Sequence, residues 1–251
     1  MKKYLHNFKI IFAFIIVIML VYLIIIQDNK VSFSEKYIME GTRYQSSIYY
    51  INNNSKIKVL IIGGIHGNEI AGIEATEKIV ENKPNWANLI VIPRANTEAI
   101  KFKKRNPYYM SDLNRTFPGR KGGTDTEILA YEIFNLIEKE KPQIVIELHE
   151  WEKGYDEDIK YLTNGLILDS YESKLWNIIE KVYNYYRTQD YDIKIMLDIS
   201  PLEGSLNKEV SERLDIPVLT IESNMKDDID NRINFHLYVI ENVIKRFEMD
   251  D

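Results

Sequence analysis

The spacing of apolar residues changes along the chain, and each change marks an element. The run IKVLIIGG, residues 57–64, is continuously apolar rather than alternating, the pattern of a strand buried on both faces. PQIVIELHE at 142–150 is a second such strand, NLIVIPR at 88–94 is a strand ended by Pro93, and IPVLTIE at 216–222 is the last strand. Between them the period lengthens toward that of a helix. Ile70, Ile73, Ile79 and Val80 fall broadly on one side of a helix predicted from about Glu69 to Glu81. Thr124 and Glu127 have capping-box spacing at the head of a helix running to about Lys141. Further helices are predicted over 171–187, over SLNKEVSERL with Ser205 as its cap, and over Asp228 to Phe247, with YDIKIML as a strand. Upstream, KYIMEGTRYQSSIYYINN reads as two short strands joined near Thr42 to Ser46. Residues 95–123 carry the turn signals RNP, SDLN, FPG and KGG and are expected to form one long ordered loop, a feature that is usually functional. Strands alternate with helices, so the expected fold is one α/β domain with a central, largely parallel or mixed sheet flanked by helices.

The N-terminus breaks this pattern. Ile10 to Ile26 is a run of 17 uncharged, mostly branched apolar residues, preceded by Lys2, Lys3 and Lys9. At about 1.5 Å per residue it reaches about 25 Å, near the lower limit for a membrane span. The expectation is an uncleaved transmembrane helix over 10–26, with a cytoplasmic tail at 1–9, a linker at 27–34 and the α/β domain over 35–251. Lysines ahead of the span place the N-terminus in the cytoplasm and the α/β domain outside the membrane, an extracytoplasmic position. A cleaved signal peptide and a secreted form are the rival reading, with Ser32 and Ser34 as a weak cleavage pattern.

Composition narrows the chemistry. The 251 residues carry a formal charge of -6, and KFKKR at 101–105 is the single basic tract that stands out, so nucleic acid is not an expected partner. With no cysteine there is no disulfide framework and no thiolate ligand or nucleophile. Four histidines remain. His66 and His149 lie just past the ends of buried-type strands, the edge where open α/β sheets bind ligands. Glu69 follows His66 by three residues across a strand-to-helix turn, where Gly63 and Gly64 allow a sharp bend and Gly67 gives room. Two histidines, one glutamate and a water form a common catalytic zinc set, which makes His66, Glu69 and His149 candidate metal ligands. A His-x-x-Glu pair by itself is more often a surface contact; the glycines and the second strand-end histidine carry this reading. His6 precedes the apolar run, and His236 sits among apolar neighbours in the last helix as a structural or surface residue. In SDLNRTFPG, Arg115 offers a fork that matches a carboxylate and Asn114 can hold the same anion. Arg105 either points into that loop or belongs to a solvated basic face.

In order, GGIHGNE, DLNR, ELHE and LTIES resemble the zinc carboxypeptidase superfamily, and within it the succinylglutamate desuccinylase and aspartoacylase group, over residues 57–223. The resemblance implies one Zn2+ per chain held by His66, Glu69 and His149, with Arg105 polarising the scissile carbonyl. It implies that Asn114 and Arg115 bind a substrate carboxylate and that Glu222 is the catalytic general base. Glu222 ends IPVLTIE on the same sheet edge as the two histidines, where a carboxylate could take a proton from water. Glu147 shares a strand face with His149, and Glu150 is placed to orient a ligand histidine. The function implied is zinc-dependent hydrolysis of an amide beside a carboxylate in an N-acyl amino acid. The alternatives are an extracytoplasmic metallocarboxypeptidase acting on short peptides and an inactive binding or scaffold protein. Peptidases of the superfamily usually carry a tyrosine in a mobile loop; Tyr155 and Tyr161 are candidates by position alone.

Overall fold

The computed structural model describes residues 15–19, 31–152, 164–168, 173–188, 193–197 and 202–249. Eight strands form one mixed sheet: β1 (Ser32–Ile38), β2 (Ser46–Asn52), β3 (Lys58–Ile62), β4 (Asn88–Ile92), β5 (Ile144–Trp151), β6 (Asn164–Leu168), β7 (Ile193–Leu197) and β8 (Val218–Asn224). Their order across the sheet is β1-β2-β4-β3-β5-β8-β6-β7. The middle strands β4, β3, β5 and β8 run parallel, while β2 and β6 meet them antiparallel on either side. The helices are α1 (Ile70–Asn82), α2 (Thr97–Phe102), α3 (Asp125–Glu140), α4 (Ser173–Thr188), α5 (Leu206–Leu214) and α6 (Ile229–Met249).

The continuous apolar runs are buried on both faces because helices cover both. Val59, Ile61, Ile146, Leu148, Leu219 and Ile221 pack with α1, α4 and α6 on one face. Leu60, Ile62, Val145 and Val218 pack with α3 and α5 on the other. Successive side chains of a strand point to opposite faces, so this division sets where the polar strand ends must point. Glu147 and His149 continue the Val145 face of β5, and Glu150 continues the Leu148 face. On β8, Thr220 and Glu222 continue the Val218 face, and Ser223 the Ile221 face. The two strands pair in register with His149 opposite Glu222 and Glu150 opposite Ser223.

Two elements depart from the sequence pattern. The loop expected over 95–123 contains α2, capped by the Asn96 side chain, and a 3-10 turn at Leu113–Arg115 capped by Asp112. Neither is long enough to show a helical period. NGLIL becomes β6, which pairs antiparallel with β8 and so adds a second antiparallel junction to the sheet, opposite that of β2 with β4. Five residues with a glycine carry little strand signal; β6 is held by its neighbours.

The transmembrane helix is a correction. Among the described residues no helix is long and apolar enough to cross a membrane. Within the expected span at 10–26 only residues 15–19 are described, and they are helical. Five residues reach about 7.5 Å, against a hydrocarbon layer of about 30 Å. The remainder of that span, the tail at 1–9 and residues 27–30 lie outside the described residues. The membrane partner, the single-pass topology, the extracytoplasmic placement and the secreted alternative all rested on that segment, so none has a structural element behind it. Apolarity over a stretch near the minimum spanning length was a weak basis for them.

At the head of α3 the Thr124 hydroxyl accepts from Glu127 N at 3.3 Å, and Thr124 N donates to the Glu127 carboxylate at 2.7 Å. Replacing Thr124 with Ala should cost about 1 kcal/mol of stability. A denaturant titration should show this as a lower midpoint at unchanged slope.

Candidate active site

The site begins where β3 ends. Gly64 takes φ +70°, which turns the chain sharply off the strand. Gly67 then packs against α2 so closely that a Cβ there would lie 2.0 Å from the Ala99 carbonyl group. Its N–H donates to Lys104 O at 2.9 Å, which pins the turn to the segment after α2. Held this way, His66 and Glu69 point inward, both 2% exposed, and meet His149 from β5, also 2% exposed.

The Glu69 carboxylate lies between the two histidines. Its Oε1 is 2.6 Å from His66 Nδ1 and its Oε2 is 2.7 Å from His149 Nδ1. The outer nitrogens also meet carboxylates: His66 Nε2 is 3.2 Å from Asp112 Oδ1, and His149 Nε2 is 3.3 Å from Glu147 Oε2. A ring that gives up its Nδ1–H to a bound metal can keep its Nε2–H donated outward, which would leave Nδ1 as the inward ligand atom. One ligand atom from each of His66, Glu69 and His149 lies within 4.8 Å of the others, so this buried cluster can hold a metal ion.

The electrostatics follow from burial and sharing. Burial pushes the Glu69 carboxyl up, but charge on His149 and His66 and their hydrogen bonds bring it down to about 2. Burial works against a charged His149, and Glu69 and Glu147 outweigh it, raising that imidazole well above its ordinary value. Asp112 is held low against its own burial by His66 and Arg105. Glu222 goes the other way: burial drives it up to about 8. Although Glu222 is half-buried as a residue, its Oε2 is enclosed and has no hydrogen-bond partner among the described residues.

The remaining residues surround a cavity of about 430 Å³, within the usual range for small-molecule sites. Arg105 reaches it from the far end of the basic tract. Its Nε donates to Asp112 Oδ2 at 2.9 Å, its Nη1 is 3.8 Å from Glu69 Oε1, and its side chain is 45% exposed. Arg105 therefore lines the cavity while its side chain stays partly open to solvent. Asn114 is buried with Nδ2 3.4 Å from His149 Nε2, and its Oδ1 accepts from Leu206 N at 2.8 Å. Arg115 is exposed at the cavity wall. Ser205 caps α5 as expected and also lines the cavity. His236 is fully buried with Nε2 3.1 Å from Ser223 Oγ; burial pushes it down to about 3.

Asp112 carries a role that sequence reasoning missed. SDLN had been read as a turn signal, and Asp112 does cap the 3-10 turn, but its carboxylate also bridges His66 and Arg105. Its position two residues before Asn114 was the available signal. Glu147, not Glu150, is the carboxylate on a candidate ligand histidine, because strand alternation turns Glu150 to the opposite face. Tyr155 and Tyr161 lie outside the described residues.

Comparison with known proteins adds a family match over part of the chain. Residues 55–157 match the succinylglutamate desuccinylase/aspartoacylase catalytic domain. Over those residues that bears out the resemblance carried by GGIHGNE, DLNR and ELHE. Glu222 lies beyond the matched stretch. N-α-acetyl-L-2,4-diaminobutyric acid deacetylase of Halomonas elongata is 33% identical over 94 residues, 36% of this chain and 27% of that protein. The chain thus spans about a quarter of the length of that curated relative. In fold it is similar to an aspartoacylase family protein from Mesorhizobium loti, with TM-score 0.63 and 20% identity over 86% of this chain and 66% of that one. It is likewise similar to a putative metallopeptidase from Shewanella denitrificans, with TM-score 0.64 and 14% identity over 86% of this chain and 82% of that one.

Glu222 makes the metal-free site sensitive to pH. The unfolded chain ionises this carboxyl near 4.5, whereas the folded chain keeps it protonated to about 8. Between these values the unfolded state gains stability from ionisation that the folded state lacks, so the Glu222 contribution to stability falls as pH rises. Glu222→Gln should remove that part of the slope. Denaturation midpoints of both proteins without metal, from pH 4.5 to 8, should diverge in favour of the variant.

Proposed function

We propose that this chain is a zinc-dependent amide hydrolase that cleaves a bond beside a substrate carboxylate, of the N-acyl amino acid type, with one Zn2+ per chain. The observation that carries this is the pairing of the His66–Glu69–His149 cluster with the unpartnered Glu222 Oε2 in one cleft. Two imidazoles and a carboxylate suit zinc, and four-coordinate catalytic sites commonly use that set with one position left for water. Bound there, zinc would act as a Lewis acid and ease ionisation of water.

The chain's own residues supply the rest. Glu147 and Asp112 orient the two imidazoles through their Nε2 atoms. Glu222 takes a proton at Oε2 from the attacking water and returns it to the leaving amine nitrogen. Burial raises the proton affinity of that carboxyl, so it can hold the proton it takes until the amine leaves, and the charge of a bound Zn2+ would keep it ionised beforehand. Arg105, held by Asp112, presents its guanidinium to the developing oxyanion. Arg115 and the Asn114 amide receive the substrate carboxylate, with Asn114 anchored by Leu206 N. The named activity of the Halomonas elongata relative, removal of an acetyl group from an amino acid, is chemistry of this class.

The test is product analysis by mass spectrometry, with the zinc-loaded full chain acting on N-acyl amino acids and short peptides. Loss of an acyl group is the expected result. Release of a C-terminal residue would replace it with the carboxypeptidase reading, and no product from either set would favour a binding protein. Glu222→Gln should lower kcat by about 10²- to 10⁴-fold. Arg115→Met should act chiefly by raising KM, and steady-state kinetics on the best substrate would separate the two effects.

A further inference from the structure

The first N–H groups of a helix have no partner inside it, and the residue at the N-cap usually satisfies one with its own side chain. Helix α1 does not follow this rule. Its N-cap residue is Glu69, whose side chain makes no cap bond, and its first turn contains no acidic residue. Both Glu69 oxygens are committed to His66 and His149. The N–H of Ala71 donates instead to Glu150 Oε2, at 2.8 Å, from a different element.

Glu150 is placed for this by strand alternation. It follows His149 on β5 and faces the opposite side of the sheet. Its Oε1 accepts from Ser223 Oγ at 3.0 Å and from Arg232 Nη1 on α6 at 2.6 Å. Ser223 follows Glu222 on β8 in the same way and meets His236 at 3.1 Å. Glu150, Ser223 and His236 are all buried. Beneath the site, then, the residues next in sequence to His149 and Glu222 join the start of the helix that follows Glu69.

We propose that Glu150 is a positioning residue for Glu69. By capping α1 from β5 it satisfies the N–H that the Glu69 carboxylate would otherwise be drawn to, and so keeps that carboxylate on the two histidines. The consequence for metal affinity rests on the metal-binding reading given above; the consequence for Glu69 does not. Without an acceptor at position 150, a buried N–H beside Glu69 competes for the same carboxylate.

The experiment compares Glu150→Met, which removes the acceptor at similar volume, with Arg232→Met, which disturbs the same network but leaves the acceptor in place. The first readout needs no metal: the ¹⁵N shifts of His66 and His149 Nδ1, which report their hydrogen bonds to Glu69. They should move in Glu150→Met, stay near wild type in Arg232→Met, and be partly restored in Glu150→Gln, which keeps an amide oxygen. The second readout is Co2+ affinity by chelator competition with the visible spectrum of the bound ion. Glu150→Met should bind Co2+ about 10- to 100-fold more weakly, with an altered spectrum. Unmoved imidazole shifts in Glu150→Met would overturn the proposal, as would equal shift changes in the two Met variants, which would mark a purely structural network. Moved shifts in a protein whose wild type binds no Co2+ would uphold the positioning role and reject the metal reading.

Discussion

The rest of the site depends on one buried carboxylate. Glu69 is 2% exposed and still ionised, a state that burial alone opposes. The charge is tolerated because each oxygen meets an imidazole, and each imidazole is backed by another carboxylate, Asp112 or Glu147. Removing one member leaves its buried neighbour with one partner fewer, which moves the site toward the uncompensated buried charge that makes a broken ion pair costly. The cluster is therefore a single unit. A cation placed among these groups would relieve the excess of negative charge that they carry.

The backbone serves this arrangement at three points. The glycine turn after β3 brings His66 and Glu69 inward against α2, where no side chain fits at position 67. The parallel pairing of β5 and β8 sets His149 beside Glu222, so a candidate ligand and a candidate base share one edge. The 3-10 turn at Leu113–Arg115 carries Asn114 and Arg115 into the same cleft and sets its cap, Asp112, against His66 and Arg105. Its place is fixed from two sides. Asn114 Oδ1 takes Leu206 N, and Phe117 N donates to Gly204 O. The contacts at Gly204 and Leu206 come from the start of α5, beyond the stretch matched to the family, so the matched residues do not complete the cleft alone.

The two faces of the sheet divide the work. On one face the strand ends carry the titratable cluster and the open cavity. On the other the same strand ends carry Glu150 and Ser223, closed over by α1 and α6 and tied to Arg232 and His236. His236, which in sequence looked like an ordinary structural histidine, is held neutral by burial and belongs to that closed network.

The pattern of residues determined much by itself. Continuous apolar runs over 57–64 and 142–150 could only be strands covered on both faces, and that sets an α/β fold with helices on each side. Glycines at 63, 64 and 67 around His66, and four short segments in order, were enough to pick out the candidate ligands and the family. Local rules also held at Thr124 and Ser205, because a cap depends on residues three apart. Contacts between distant segments were decided only by the folded chain. Asp112 looked like a turn residue until packing set His66 and Arg105 on either side of it. Glu147 shares the His149 face as expected and meets that histidine in place of Glu150, which the strand's parity, anchored by Val145 and Leu148, sends to the other face. The antiparallel junction beyond β8 came from β6, a five-residue segment whose strand state depends on its pairing there. The apolar run at 10–26 met a spanning-length criterion in sequence, but among the described residues it contributes only a five-residue helical piece, too short to cross a bilayer. Local periodicity reports what one segment favours; which charges share a carboxylate, and which carboxylate caps which helix, is set by pairings across 79 or more positions, such as Ala71 with Glu150 and Glu69 with His149.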